Sequence, residues 1–254
     1  MQDKLQAFGR LLKIMDELRE QCPWDKKQTI ESLRHLTIEE TYELSDAIIK
    51  NDTTELKKEL GDILLHIVFY ARIASETNRF DIADVINSLC DKLIFRHPHI
   101  YGDVKVENAE QVTRNWEKIK QKEGNKGALS GVPSSMPSLV KAYRIQEKAQ
   151  AVGFDWEKPE QVWEKVNEEL QEFHAEVKKQ DQQKLEEEFG DVLFSLINYA
   201  RFLNINPEDA LEKTNRKFIY RFNYMEQKIK EQNKQLADCS LEEMDKYWNE
   251  AKSH

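Results

Sequence analysis

Residues 39–62 read EETYELSDAIIKNDTTELKKELGD, and residues 168–191 read EELQEFHAEVKKQDQQKLEEEFGD. These two stretches decide the fold. Each opens on Glu-Glu-x-x-Glu and closes on Glu-x-Gly-Asp, with a polar turn between. Glu40 and Glu43 are three apart, so on a helix they share one face; Glu59 and Asp62 do the same. The midpoint of Glu43 and Glu59 is residue 51, and so is the midpoint of Glu40 and Asp62. Folding the helices back about Asn51-Asp52-Thr53 therefore sets Glu43 opposite Glu59 and Glu40 opposite Asp62. In the second stretch Glu172/Glu188 and Glu169/Asp191 both centre on Gln180. An antiparallel helix hairpin brings four carboxylates together in each copy.

The repeat extends outward from these hairpins. The same offset of 129 relates Tyr70-Ala71-Arg72 to Tyr199-Ala200-Arg201. It falls to 125 for Lys92-Leu93-Ile94-Phe95-Arg96 against Lys217-Phe218-Ile219-Tyr220-Arg221, and rises to 132 for Trp116 and Lys120 against Trp248 and Lys252. Small insertions between helices produce such drift, so the chain reads as a tandem duplication. Residues 122–135 carry glycines, serines and Pro133, the composition of a linker. The expected domains are 1–121 and 136–254.

Helical spacing recurs through both copies. Leu5, Phe8, Leu11, Leu12, Met15 and Leu18 predict a first helix. After the break Cys22-Pro23-Trp24-Asp25, further helices are expected over about 32–49, 53–76, 82–95 and 108–121. Asp52 with Glu55 has the spacing of a capping box, and Asp81 is a candidate cap. The second copy opens with a helix near 139–150 and a break at Gly153-Phe154-Asp155-Trp156. No stretch sustains strand alternation, and eight Gly and six Pro leave few chain breakers. The expected fold class is all-α, with two tandem helical domains.

Composition narrows the chemistry. A net charge of −9 over 254 residues argues against a nucleic-acid polymer or an anionic membrane as partner. The most apolar run, Ile63 to Ala74, contains His66 and Arg72 and is too short to span a bilayer. Three separated cysteines include no Cys-x-x-Cys pair, which disfavours a zinc site or disulfide framework and suits a reducing cytoplasm. The N-terminus carries no apolar signal core.

Four carboxylates at close range repel one another unless a cation sits among them. All-oxygen ligands select Mg²⁺, Mn²⁺ or Ca²⁺. Gly61 and Gly190, inside predicted helices beside the acids, suggest a close backbone approach. Lys92/Arg96 and Lys217/Arg221 are four apart and share a face in each copy, a pattern suited to polyphosphate beside a metal. Trp116/Lys120 and Trp248/Lys252 add an aromatic and a further cation.

Together these residues resemble the MazG family of nucleoside triphosphate pyrophosphohydrolases, of the all-α NTP pyrophosphatase superfamily. The doubled Glu-Glu-x-x-Glu and Glu-x-x-Asp motif carries the resemblance. So do Cys22-Pro-Trp-Asp-Lys-x-Gln-Thr, Arg96-His-Pro-His and Gly153-Phe-Asp-Trp. The resemblance implies a Mg²⁺-dependent enzyme, with Mn²⁺ as a possible substitute. It would convert nucleoside triphosphates of broad identity to monophosphate and pyrophosphate, as a cytoplasmic homodimer engaged in house-cleaning or pool control. It implies Glu169, Glu172, Glu188 and Asp191 as metal ligands, with Glu40, Glu43, Glu59 and Asp62 as first-copy equivalents. Lys184, Asn215, Lys217, Arg221, Trp248 and Lys252 would contact the nucleotide. Glu168, and Glu39 in the first copy, would be outer ligands or the base for the attacking water.

The copies are not equivalent. Cys90 stands where the second copy has Asn215, Glu55 where it has Lys184, and Pro98 follows the first Lys/Arg pair. The second copy is therefore the more complete catalyst. For the first copy, a non-catalytic role as a Mg²⁺ or nucleotide sensor or scaffold is the alternative. A di-iron carboxylate protein would need Glu-x-x-His pairs that are missing, so His66 reads as a core histidine. The P-loop motif is absent.

Overall fold

The computed structural model describes residues 1–108, 111–112, 115–116, 119–120 and 127–253. Every regular element among them is helical. The chain divides into two compact units, Met1–Glu107 and Asn108–His254. Residues 111, 112, 115, 116, 119 and 120 are helical, as expected within 108–121, and group with the second unit.

The first unit contains α1 (Gln2–Gln21), α2 (Ile30–Lys50), α3 (Thr53–Ser75), α4 (Ile82–Arg96) and the single turn α5 (Pro98–Tyr101). Its centre is the α2–α3 hairpin. Asn51 ends α2 in the left-handed conformation, φ 54°. Asp52 then caps α3, its side chain accepting from the backbone N–H groups of Thr54 and Glu55. The expected capping box is only half made, because Glu55 turns its carboxylate to Lys58 instead, at 3.5 Å. Asp81 does form a full box, reciprocated by Asp84. Met15 of α1, Leu33 of α2 and Val68 and Phe69 of α3 interlock as the core. His66 lies in the same interior, 7 % exposed, with Nδ1 2.6 Å from the Thr37 hydroxyl. Burial pushes its pKa down, as suits a neutral core histidine.

The second unit repeats the plan with α6 (Ser138–Ala151), α7 (Pro159–Lys179), α8 (Gln182–Phe202), α9 (Pro207–Glu231) and α10 (Leu241–Glu250). Gln180 ends α7 at φ 59°, the counterpart of Asn51, and Asp181 caps α8 through the Lys184 N–H. The two hairpins thus share their turn as well as their acids. Val162 and Val166 of α7 are fully buried, and Met225, Ile229 and Tyr247 join α9 to α10. Replacing an N-cap Asp by Ala costs about 1 kcal/mol. Asp181→Ala is accordingly expected to lower the melting temperature while leaving the helical circular-dichroism signal intact.

Two helices expose long apolar faces. No side chain of α4 is buried, and Leu89, Leu93, Ile94 and Phe95 are open to solvent. On α9, Phe218, Ile219, Tyr220 and Phe222 are exposed. No helix is long and apolar enough to cross a membrane among the described residues.

Candidate active site

The antiparallel packing of α2 on α3 brings Glu40, Glu43 and Glu59 together, each with a carboxylate oxygen within 4.8 Å of the others. The packing of α7 on α8 does the same for Glu169, Glu172 and Glu188. This follows from the hairpin arithmetic: residues equidistant from the turn meet across the interface. The fourth acid of each set stands apart from the tight cluster but within electrostatic reach. Burial pushes the Glu40 carboxyl up, and the charges of Asp62, Glu43 and Glu59 add to the shift. Burial likewise raises Glu188, followed by the charges of Glu172, Asp191 and Glu169.

Depth differs along each cluster. Glu59 is 2 % exposed and Glu169 7 %, whereas Glu43 and Glu172 are open to solvent. Each site therefore has a buried floor and a wet rim. Lysines take up part of the charge. Lys58 Nζ lies 2.9 Å from Glu59, and that hydrogen bond raises its pKa. Lys165 bridges Glu168 and Glu169 at 2.8 Å to each. Glu59 still has one buried oxygen, Oε2, without a hydrogen-bond partner among the described residues. An unpaired buried carboxylate oxygen is costly, and a hard cation is the ligand that the three-carboxylate donor set fits.

Three contributors escape the motif. Lys58 and Lys165 were legible only as neighbours of the acids, at helical i+1, i+3 and i+4 spacing. Glu176 is 7 % exposed, with Lys179 on Oε1 at 2.6 Å and Oε2 unpartnered among the described residues. Its charge also reaches Glu188. Its counterpart in the first copy is Ala47, so comparing the two copies hides it.

The glycine expectation fails. A Cβ on Gly61 or Gly190 would meet nothing within 4 Å. Among the described residues, no neighbouring backbone comes close to either glycine.

Arg221 stacks over Trp248 at 5.8 Å, and Phe218 meets the same ring edge-on at 4.9 Å. Lys252 donates to Asn249 Oδ1 at 2.6 Å, one turn from Trp248. Lys217 is exposed, Asn215 sits 3.4 Å from Glu212, and Lys184 is exposed at the start of α8. No ion pair or hydrogen bond among the described residues ties Lys217 or Arg221 to the carboxylates. Glu168 is at the rim, on Lys165, and Glu39 is exposed. In the first copy Lys92 is exposed and Arg96, Trp116 and Lys120 are half-buried.

The raised carboxyls give a test with a defined sign. A carboxyl whose folded pKa is raised supports the fold below its unfolded value and loses that support as pH climbs through the folded value. Without metal, stability is therefore expected to fall as pH rises from about 4.3. Millimolar Mg²⁺ is expected to restore it at neutral pH and to do little in acid, where protons occupy the ligands. Melting curves with and without the ion, across pH, read this directly.

Known proteins share the sequence of both hairpins. The family model described as MazG nucleotide pyrophosphohydrolase domain matches twice, over residues 28–101 and 157–225, and each match contains one hairpin. A Thermotoga maritima protein named nucleoside triphosphate pyrophosphohydrolase/pyrophosphatase MazG is 48 % identical over 250 residues, spanning 96 % of this chain and 95 % of its own. An Escherichia coli K12 protein named nucleoside triphosphate pyrophosphohydrolase is 42 % identical over 257 residues, 98 % of each chain. A solved mazG-related protein from Thermotoga maritima is similar over 44 % of this chain and 98 % of its own, at 29 % identity and a TM-score of 0.40. With its family domain present in two copies and its full-length kinship to these proteins, the chain belongs to the MazG nucleotide pyrophosphohydrolase family.

Proposed function

We propose that this chain hydrolyses nucleoside triphosphates of broad base identity to the monophosphate and pyrophosphate, with Mg²⁺ as cofactor and Mn²⁺ as a substitute. The observation that carries the reading is the pair of three-carboxylate clusters, each with oxygens within 4.8 Å, on the hairpins matched by the family model. Glu169, Glu172 and Glu188 would hold the ion, with Asp191 as a fourth group beside them. When bound there, such an ion would supply charge neutralisation for the phosphate oxygens and acidify the attacking water. Glu168, at the rim, orients that water and takes its proton. The water oxygen bonds to the α-phosphorus, the α–β anhydride bond breaks, and pyrophosphate leaves toward Lys217 and Arg221. Trp248, Asn215, Lys184 and Lys252 hold the nucleotide. Catalysis on this plan is positioning and charge stabilisation.

The second unit is the main catalyst on this reading. In the first unit Glu55 replaces Lys184 and is itself occupied by Lys58. That substitution favours a Mg²⁺- or nucleotide-sensing role for the first unit, whose cluster of Glu40, Glu43 and Glu59 is intact. The exposed apolar faces of α4 and α9 suit burial in a homodimer, and the chain would work in the cytoplasm on damaged or surplus nucleotides.

Incubation with a panel of nucleoside triphosphates and Mg²⁺, followed by anion exchange, tests the reaction. Monophosphate plus pyrophosphate, abolished by chelation, is the expected outcome. Diphosphate plus phosphate would overturn the bond assignment. Bound nucleotide without product would leave the sensor reading.

A further inference from the structure

Among the described residues, the first unit buries the acid Glu59, and the second buries both Glu169 and Glu176. The additional acid stands where the first unit packs a methyl group. Glu176 of α7 is 7 % exposed, and its counterpart Ala47 of α2, at the repeat offset of 129, is 1 % exposed. A carboxylate in place of a buried methyl group is costly unless its charge is met and its oxygens are hydrogen-bonded.

Glu176 is served on one oxygen. Lys179 donates to its Oε1 at 2.6 Å, from a side chain that is 62 % exposed. That lysine is common to both turns. Its counterpart Lys50 lies 3.4 Å from Asp46, where the second unit has Ala175. Lys179 therefore belongs to the repeat and is not an addition made for Glu176. The other oxygen, Oε2, is shut off from solvent and has no hydrogen-bond partner among the described residues.

The hairpin fixes what this carboxylate faces. Glu169, Glu172 and Glu176 follow one another at i, i+3 and i+7, on one face of α7. The residue of α8 equidistant from the turn is Lys184, which is exposed, and Glu188 lies one turn beyond it. Burial raises the Glu188 carboxyl, and the charge of Glu176 is among those that add to the shift. Lys179, whose pKa is raised first by its hydrogen bond to Glu176, also feels the charge of Glu188. Glu176 thus continues the three-carboxylate cluster toward the turn, with Glu188 common to both. Donors that are all carboxylate oxygens select a hard divalent cation.

We propose that the second unit takes a second divalent cation, Mg²⁺ or Mn²⁺, between Glu176 and Glu188 on the turn side of the three-carboxylate cluster. The first unit, with Ala47 in that place, lacks this position. Paired ions stabilise both the attacking and the leaving oxygen of a displacement, so the two units would differ in chemistry as well as in ligands. The inference rests on the reading of the hairpins as cation sites.

Mn²⁺ binding to the metal-free, full-length chain tests it, with the free ion followed by electron paramagnetic resonance. The measurement needs neither nucleotide nor turnover. Two variants are compared with the wild type: Glu176→Ala, which copies the first unit, and Glu176→Gln, which keeps the size of the side chain. Each is expected to bind one Mn²⁺ fewer per chain, with the affinity of the remaining ions little changed. An unchanged count in Glu176→Gln overturns the proposal, even if Glu176→Ala fails to fold. A weakened affinity without a lost ion overturns it as well, because that is the effect of a charge acting at a distance. A wild type that binds no Mn²⁺ overturns both the proposal and the reading of the hairpins as cation sites. If the wild type binds Mn²⁺, the variants bind one fewer, and no triphosphate is hydrolysed, the hydrolase reading fails and the second cation site stands.

Discussion

Changing Glu172→Gln together with Glu43→Gln is expected to reduce metal-dependent turnover of nucleoside triphosphates by at least about 100-fold, since even outer partners of metal ligands are worth 10–100-fold. Both residues are solvent-exposed members of their clusters, so the amide replaces the carboxylate without opening a core cavity. Each change removes one negative charge from a crowded trio. The apo protein is therefore expected to become slightly more stable even as activity disappears. That opposite movement is the signature of a ligand set, because a structural carboxylate would lose stability on neutralisation. Steady-state pyrophosphate release and thermal melting of the same preparation measure both quantities. Single changes separate the units: Glu172→Gln alone is expected to abolish most turnover, and Glu43→Gln alone to leave most of it. Full activity in the double variant would sink the assignment of these acids.

The largest stability effect is expected at Asp155. Its carboxylate holds the guanidinium of Arg201, whose side chain is 6 % exposed, through two hydrogen bonds. Removing one partner of a buried pair strands the other charge and costs about 3–5 kcal/mol. Asp155→Ala is expected to show a loss of this size in urea denaturation followed by tryptophan fluorescence. The first unit solves the same problem differently. Arg72 there pairs with Asp16 at 2.6 Å and with Glu76 at 3.1 Å, and both acids are well exposed. Asp16→Ala is expected to cost far less, because water and Glu76 remain to serve the guanidinium.

The hairpins were the most legible part of the chain. Acids placed symmetrically about Asn51 and Gln180 leave little freedom once both arms are helical, and three of each four meet as the arithmetic requires. Asp62 and Asp191 lie outside the three-oxygen clusters, yet Asp62 is the charge that acts most strongly on Glu40, as its place opposite that residue implies. The glycines misled because an intrahelical Gly has the same appearance in sequence whether it faces a neighbour or open space. Lys58 and Lys165 were hidden among many other lysines in a chain with 33 % charged residues.

The left-handed residues at the hairpin turns, Asn51 and Gln180, each followed directly by a capping Asp, act as a ruler. One added residue between Glu43 and Glu59 would turn the second arm by about 100° and carry Glu59 off the shared face. Substitutions on the outer surface of the same segment leave the register untouched. The coding sequence between the two acidic words should therefore tolerate many point changes and almost no change of length. A deletion-and-insertion scan of residues 44–58, scored beside a substitution scan of the same window, would display that contrast.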